Sequence, residues 1–302
     1  MENQTTVFSN AQMLNWMSYI TEEMNVSPEK VKMMNICGKK KNVLPTIESH
    51  KRVLIFADES HKELLYEIWE AGLGDTEIWY GTGMEAGGEL KHAYTKELIS
   101  MNITEPMVLF VLNQNTRESY RIGIKNENFS KGTVKYVGSE IRAVIMNLLN
   151  VDDQDCICIV SGESIVIEAS IAASEGTIIA VEGDAGSMTA MEENASKFGV
   201  HNVEIVENLE GDVLEKLPTP RLAFIVADKN LEKHMQALVK KNPEIQIIIY
   251  TLELDMLMLA KTLLEKYELP KPEIIQISVS KTNSKGVFVA QPQPWLLVSD
   301  GR

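Results

Sequence analysis

The chain has 302 residues, of which 44% are hydrophobic and 24% are charged, and its formal net charge is −14. This composition is typical of a globular protein with enough residues for two domains. The acidic balance argues against a nucleic-acid partner, and the sequence shows no signal peptide and no apolar run of about 18 residues, so we expect a cytoplasmic protein without a membrane partner.

Residues 1–115 show a small α/β pattern. Helices are predicted at residues 11–24, 61–71 and 93–101, and buried strands at residues 52–57, 77–80 and 107–112. This alternation predicts a parallel or mixed sheet. The basic run at residues 39–42 is predicted to be a solvated loop. Residues 116–137 are polar and rich in Asn, Lys and Gly, which indicates a linker.

Residues 138–302 repeat the alternation over a longer stretch. Strands are predicted at residues 156–160, 177–181, 203–206, 222–226, 245–250, 273–280 and 295–298. Helices are predicted at residues 139–149, 165–173, 188–198, 213–217, 231–240 and 254–267. The last two strands follow one another without a helix. This order resembles the seven-stranded, Rossmann-like α/β sheet of class I S-adenosylmethionine methyltransferases.

The segment CICIVSGESIVIEASIAASEGTIIAVEGD, residues 156–184, carries the clearest site pattern. It predicts a strand, a turn, a helix and a second strand that is followed by Glu182. In nucleotide-binding α/β domains a glycine turn opens a helix toward the ligand, and an acid after the second strand binds ribose hydroxyls. Here the acid is present, but the turn holds a single glycine, Gly162.

The three cysteines do not predict a metal or redox site. Cys156 and Cys158 alternate with isoleucines along a predicted strand, so we expect both to face the same side. The sequence has no CxxC motif and no histidine near this pair, which favours two small buried hydrophobic residues. We therefore predict no metal site.

Seven segments of residues 123–299 resemble, in order and almost without gaps, the decarboxylating domain of the precorrin-6Y C5,15-methyltransferase family of cobalamin biosynthesis. They are GIKNENF (123–129), SEIRAVIMNLLNV (139–151), IEASIAA with IIAVEGD, ENASKFGVHNVEIVE (193–207), LPTPRLAFI (217–225), YTLELDML (250–257) and IIQISVSK (274–281). The resemblance implies a methyltransferase that uses S-adenosylmethionine and acts on a small-molecule tetrapyrrole.

The resemblance also assigns roles to individual residues. It implies cofactor contacts for Ser161, Gly162, Glu163, Glu182 and Leu209. It implies substrate contacts for Arg142, Asp228 and Thr251. For the first of these three, an ion pair on the helix surface is the alternative.

The chain departs from the family pattern at several contact positions. Cys158 stands where the family has an acid, and Val160 and Glu163 stand in the region of two glycines that the family has. Glu163 is expected to crowd the cofactor's carboxylate. Leu209 aligns with an acid that contacts the adenine amino group, and a leucine cannot accept a hydrogen bond.

The segments at residues 27–56 and 63–84 resemble the later part of the tetrapyrrole-methylase domain of the same enzymes. The leading strand and glycine-rich loop of that domain are not found in the chain, so we expect a truncated domain. Two functions remain open: an active precorrin methyltransferase, and a catalytically silent homologue that acts as a scaffold or partner subunit. In either case the resemblance favours a homo-oligomer.

Overall fold

The computed structural model describes residues 8–39, 41–116, 123–132 and 137–299. The chain divides into two compact units, residues 1–120 with 197–201, and residues 121–196 with 202–302. Residues 123–132, which the sequence placed in the linker, are therefore part of the second unit. Linker residues 117–122 and 133–136 lie outside the described residues.

The described part of the first unit is a five-stranded sheet with three α-helices. Its elements are α1 (Asn10–Glu23), β1 (Lys32–Asn35), α2 (Val43–Ser49), β2 (Arg52–Ala57), α3 (Leu64–Ile68), β3 (Glu77–Thr82), β4 (Lys91–Tyr94) and β5 (Met107–Leu112). The strand order is β1-β2-β5-β3-β4, in which β1 and β2 are parallel and the other neighbours are antiparallel. The sheet is therefore mixed, which is one of the two predicted alternatives, a parallel or a mixed sheet.

Two sequence predictions for this unit are wrong, and one strand was missed. The helix predicted at residues 93–101 is instead the end of β4 followed by a short 3₁₀ turn, Thr95–Glu97. Strand β1 was not predicted. β1 and β4 lie at the two edges of the sheet, are four residues long and each contain polar residues, so they lack the apolar run of a buried strand. The basic run is not a solvated loop throughout, because Lys41 and Asn42 are buried where they precede α2.

The second unit contains a seven-stranded sheet. Its helices are α4 (Ser139–Leu149), α5 (Glu163–Ala172), α6 (Ala185–Phe198), α7 (Leu231–Lys241) and α8 (Leu254–Lys266). Its strands are β6 (Cys156–Val160), β7 (Thr177–Val181), β8 (Val203–Val206), β9 (Leu222–Val226), β10 (Gln246–Thr251), β11 (Glu273–Gln276) and β14 (Trp295–Ser299), with a separate hairpin of β12 (Ser280–Thr282) and β13 (Phe288–Ala290).

The strand order of this sheet is β11-β14-β10-β9-β6-β7-β8. The five strands from β10 to β8 are parallel, and β14 runs antiparallel to both of its neighbours. This arrangement confirms the predicted class I methyltransferase fold. Two predicted elements are wrong in extent or type: the strand at 273–280 ends at Gln276, and residues 214–216 form a 3₁₀ turn instead of a helix.

Both faces of this sheet are covered by apolar side chains. Ile157 and Ile159 face the side covered by α4 and α5, whereas Cys158 and Val160 face the side covered by α7 and α8. Cys156 packs against the same cluster as Cys158, so the predicted shared side is confirmed, but Cys158 is buried whereas Cys156 is only half-buried. Among the described residues, no helix combines the length and apolar character needed to cross a bilayer.

Candidate functional site

A cavity of about 520 Å³ opens at the carboxyl ends of β6, β7, β8 and β9. We refer to it as the strand-end cavity. It is lined by Val160, Ser161, Val181, Glu182, Gly183, Asp184, Glu207, Asn208, Leu209, Glu210, Val226, Asp228, Asn230, Lys233 and His234. β6, β7 and β9 are apolar and largely buried, β8 is half-buried, and polar residues follow within two positions of each strand end. The carboxyl edge of an open parallel sheet is where ligands bind in α/β domains.

The turn after β6 holds one residue in a left-handed conformation. Ser161 has a φ of 56°, and its N–H donates to the carbonyl of Val181 at 3.0 Å. Gly162 has a φ of −125°, which any residue can adopt. The glycine is needed for packing, since a Cβ at this position would lie 2.6 Å from Ile159 Cγ2 and 3.3 Å from Phe224 Cδ1. Of these two predicted cofactor residues, only Ser161 lines the cavity.

Glu182 follows β7 and is only 3% exposed. Its Oε1 accepts a hydrogen bond from the N–H of Asp184 at 3.2 Å. Its Oε2 is buried and has no hydrogen-bond partner among the described residues. Burial raises the pKa of this carboxyl, and the nearby carboxylates of Glu163 and Asp184 raise it further. The side chain therefore keeps an unused acceptor at the cavity.

Glu163 is the first residue of α5 and is also buried. It is not among the residues that line the strand-end cavity. Its carboxyl lies close to Gly132 and Ser187, and burial raises its pKa. That Glu163 crowds the carboxylate of a bound cofactor stays a prediction.

Leu209 and Asp228 both line the cavity. Leu209 lies in the loop after β8, and Asp228 lies in the loop after β9. Leu209 is 6% exposed and belongs to the apolar cluster under α7 and α8. Asp228 Oδ1 accepts from the N–H of Asn230 at 2.8 Å, which fixes the loop between β9 and α7.

Two predicted substrate residues, Arg142 and Thr251, do not line the cavity. Thr251 is buried at the end of β10, and its Oγ1 accepts from the N–H of Glu253 at 3.0 Å. Arg142 has no exposed surface, and its Nε donates to Glu168 Oε1 at 2.6 Å. The ion pair expected as the alternative for Arg142 is present, but it is buried instead of lying on the helix surface.

The guanidinium of Arg142 has further partners in the second unit. It donates to Asn126 Oδ1 at 3.1 Å and to the carbonyl of Ile124, and it lies 4.8 Å from the centre of the Phe129 ring. Glu168 in turn accepts from the backbone N–H groups of Gly123 and Ile124. The pair therefore anchors the segment that precedes α4.

Sequence reasoning missed several residues that line the cavity. They are Asp184, Glu207, Asn208, Glu210, Asn230, Lys233 and His234. A usable signal was present, because most of them directly follow a predicted strand, and the carboxyl ends of parallel strands meet at one edge of a sheet. Lys233 and His234 lie in the first turn of α7, where only the packing of the helix decides whether a side chain reaches the cavity.

The model of the precorrin methyltransferase domain family matches residues 131–294, which include six of the seven strands of the sheet and end just before β14. The chain belongs to the precorrin methyltransferase domain family.

Individual relatives agree with this membership. A probable cobalt-precorrin-6B C(15)-methyltransferase (decarboxylating) from Methanocaldococcus jannaschii is 33% identical over 102 residues, which are 34% of this chain and 55% of the relative. The match thus spans about half the length of this curated relative.

Two solved structures extend the likeness to the fold of this precorrin methyltransferase domain. A precorrin-6y C5,15-methyltransferase from Geobacter metallireducens GS-15 is 27% identical, with a TM-score of 0.55 over 59% of this chain and 96% of that structure. A precorrin 8w decarboxylase from Methanobacterium thermoautotrophicum is 19% identical, with a TM-score of 0.52 over 58% of this chain and 98% of that structure. The second likeness shows the fold alone.

Proposed function

We propose that the chain binds S-adenosylmethionine in the strand-end cavity and transfers its methyl group to a precorrin tetrapyrrole, with decarboxylation of that substrate. The observation that carries the proposal is Glu182. A buried carboxylate with one unused oxygen, placed directly after the second strand of the sheet, is suited to accept hydrogen bonds from ribose hydroxyls. The relatives named above supply the substrate class and the decarboxylation.

The cavity fits this cofactor in size and charge. Its volume of about 520 Å³ lies within the range of roughly 300–1,000 Å³ that is usual for small-molecule sites. Carboxyl side chains dominate its polar lining, and the one lysine, Lys233, pairs with Glu210 at 3.0 Å. An acidic cavity favours a ligand with net positive charge.

The chain's own residues would bind and orient the ligands. Glu182 would hold the ribose, and Leu209 would pack against the base. Asp228 lies on the cavity wall and is the predicted substrate residue best placed to meet the tetrapyrrole. The cofactor, when bound, supplies a methyl group on a cationic sulfonium. Because that group is already activated, the protein would accelerate the reaction mainly by positioning.

The silent alternative also has a specific observation in its favour. The single glycine of the turn, Gly162, packs against Ile159 and Phe224 and does not line the cavity. The backbone approach that closely spaced glycines would allow is therefore reduced. A homologue that has lost cofactor binding could retain this fold as a scaffold or partner subunit. A homo-oligomer and a cytoplasmic location stay predictions.

Calorimetric titration of the full chain with S-adenosylhomocysteine tests the proposal. We expect binding in the micromolar range and weakening of roughly 10- to 100-fold in Glu182→Ala, because the ribose loses hydrogen bonds to a charged acceptor. Glu193→Ala, an exposed acid on α6, is the matched control and should bind like the wild type. The absence of heat at millimolar ligand would overturn the proposal and favour the silent homologue.

A further inference from the structure

Apolar side chains line the strand-end cavity at the ends of all four strands that border it, and Leu209 follows β8, which is the neighbour of β7. Val181, Leu209 and Val226 line the cavity, and Val181 directly precedes the proposed ribose acceptor Glu182. A purine base is flat and largely apolar, so burial against these side chains is its most favourable position. The base would therefore lie beside Leu209.

Leu209 cannot accept a hydrogen bond from an amino group on the base. Two polar side chains close to it in sequence are already engaged. Asn208 Oδ1 accepts from the N–H of Glu210 at 2.9 Å, and Glu210 Oε1 pairs with Lys233. The two polar side chains that flank Leu209 in sequence therefore already have partners.

His234 lies on α7, and Leu209 belongs to the same buried cluster as Leu231 and Met235 of that helix. The pair of Lys233 with Glu210 joins the start of α7 to the loop that carries Leu209, and His234 is the next residue of that helix. Its ring is half-buried, lines the cavity, and has no hydrogen-bond partner among the described residues. His234 therefore brings an uncommitted ring nitrogen to the position where the base would lie.

The neutral form of this ring is favoured. Burial is the main cause and lowers the pKa of His234. Lys233 lowers this pKa further, whereas the carboxylates of Asp228 and Glu210 raise it without cancelling the effect of burial. A neutral imidazole has one ring nitrogen that accepts a hydrogen bond, whereas the protonated ring has none.

We propose that His234 is a specificity residue for the nucleoside, which accepts a hydrogen bond from the exocyclic amino group of the adenine base. The inference rests on the proposed binding of S-adenosylmethionine in this cavity. It assigns to α7 a recognition that Leu209 does not supply.

The test compares two ligands on the full chain by calorimetry. One is S-adenosylhomocysteine, and the other is its analogue in which hydrogen replaces the amino group of the base. We expect the wild type to prefer the amino ligand by roughly three- to tenfold, the value of one neutral hydrogen bond. His234→Ala should bind both ligands equally, and His234→Gln, which keeps an acceptor, should retain part of the preference.

Gln236→Ala is the matched control, since Gln236 is exposed on the same helix and does not line the cavity. This variant should keep the full preference. The preference of the wild type should also decline as the pH falls through the pKa of His234, which lies below its ordinary value of 6.5. A purely structural role for the ring would not produce this loss of ligand selectivity.

The outcomes separate the two proposals. Binding of both ligands with equal affinity by the wild type, or an unchanged preference in His234→Ala, would overturn the role of His234 and leave cofactor binding in place. Binding of neither ligand at millimolar concentration would overturn the proposed function and this inference together.

Discussion

Two buried glutamates in the second unit differ in how completely they are satisfied. Glu168 and Glu182 are each 3% exposed. Glu168 accepts from the guanidinium of Arg142 and from two backbone N–H groups. Glu182 accepts from one backbone N–H and retains a buried oxygen without a described partner. The two carboxylates are thus equally buried but differ in their partners, and we propose a ligand-binding role only for Glu182, which also lines the cavity.

The first prediction tests whether the site of Glu168 is purely structural. Arg142→Met should lower the free energy of unfolding by about 3–5 kcal/mol, because it leaves a buried carboxylate without its counter-charge. Chemical denaturation measures the change, and Lys266→Ala is the control. Lys266 pairs with Glu232 on the surface, where solvent screens the pair, so its loss should leave the free energy of unfolding nearly unchanged. Equal effects of the two variants would contradict the comparison.

The second prediction concerns ligand binding at the two glutamates. Glu182→Ala should weaken the binding of S-adenosylhomocysteine by about 1.5–3 kcal/mol. Glu168→Gln, which keeps most of its volume, should lower stability but leave affinity within about threefold, because Glu168 does not line the cavity. Calorimetry at a temperature where both variants are folded makes the comparison. A larger loss of affinity in Glu168→Gln than in Glu182→Ala would reverse the assignment of the two sites.

The third prediction uses pH. The pKa of Glu182 in the folded protein is raised by burial, so between the ordinary carboxyl pKa and this raised value the folded state binds more protons than the unfolded state. Stability is therefore lost as the pH rises through that window. Ligand-free Glu182→Gln should be more stable than the wild type by about 1 kcal/mol at neutral pH, and the difference should vanish below about pH 4.5.

Unfolding curves of wild type and Glu182→Gln across this pH range provide the measurement. Glu193→Gln, on the surface of α6, should show no difference from the wild type at either end of the range. A Glu182→Gln protein that is less stable than the wild type at neutral pH would show that the carboxylate is satisfied in the free protein.

The smallest expected effect tests for strain beside the open site. Ser161→Gly should raise stability by about 0.5 kcal/mol, as relief of the left-handed conformation exceeds the entropy that glycine adds to the unfolded chain. Asn150→Gly is the control, since asparagine tolerates its φ of 47° more readily. Thermal unfolding measures both, and an equal gain at the two positions would argue against strain specific to the cavity.

The sequence predicted the sheet of the second unit better than its site. The strands at 156–160, 177–181, 203–206 and 222–226 have the predicted bounds, because each is a short run rich in β-branched and other apolar residues between turns. Glu182 was also predicted correctly as the acid after β7, because its position follows from the end of that strand. Strands β1 and β4 were missed because edge strands carry polar residues.

The partners of individual side chains were not accessible to this reasoning. Arg142 and Glu168 are 26 positions apart and lie on different helices, so no local pattern indicates that they meet. His234 likewise resembles any polar residue in the first turn of a helix. Its place at the cavity depends on how α7 packs on the sheet, which is a tertiary property that periodicity does not encode.

The position of β14 has a consequence for the order of events during synthesis. It is the last described strand in the chain, yet it lies between β10 and β11 and provides the sheet hydrogen bonds of β11. In a nascent chain that has emerged only as far as β11, this strand therefore has no neighbouring strand in the sheet with which to form hydrogen bonds. This edge would stay open to other chains until residues 295–299 leave the ribosome, so the addition of β14 to the sheet also protects against aggregation.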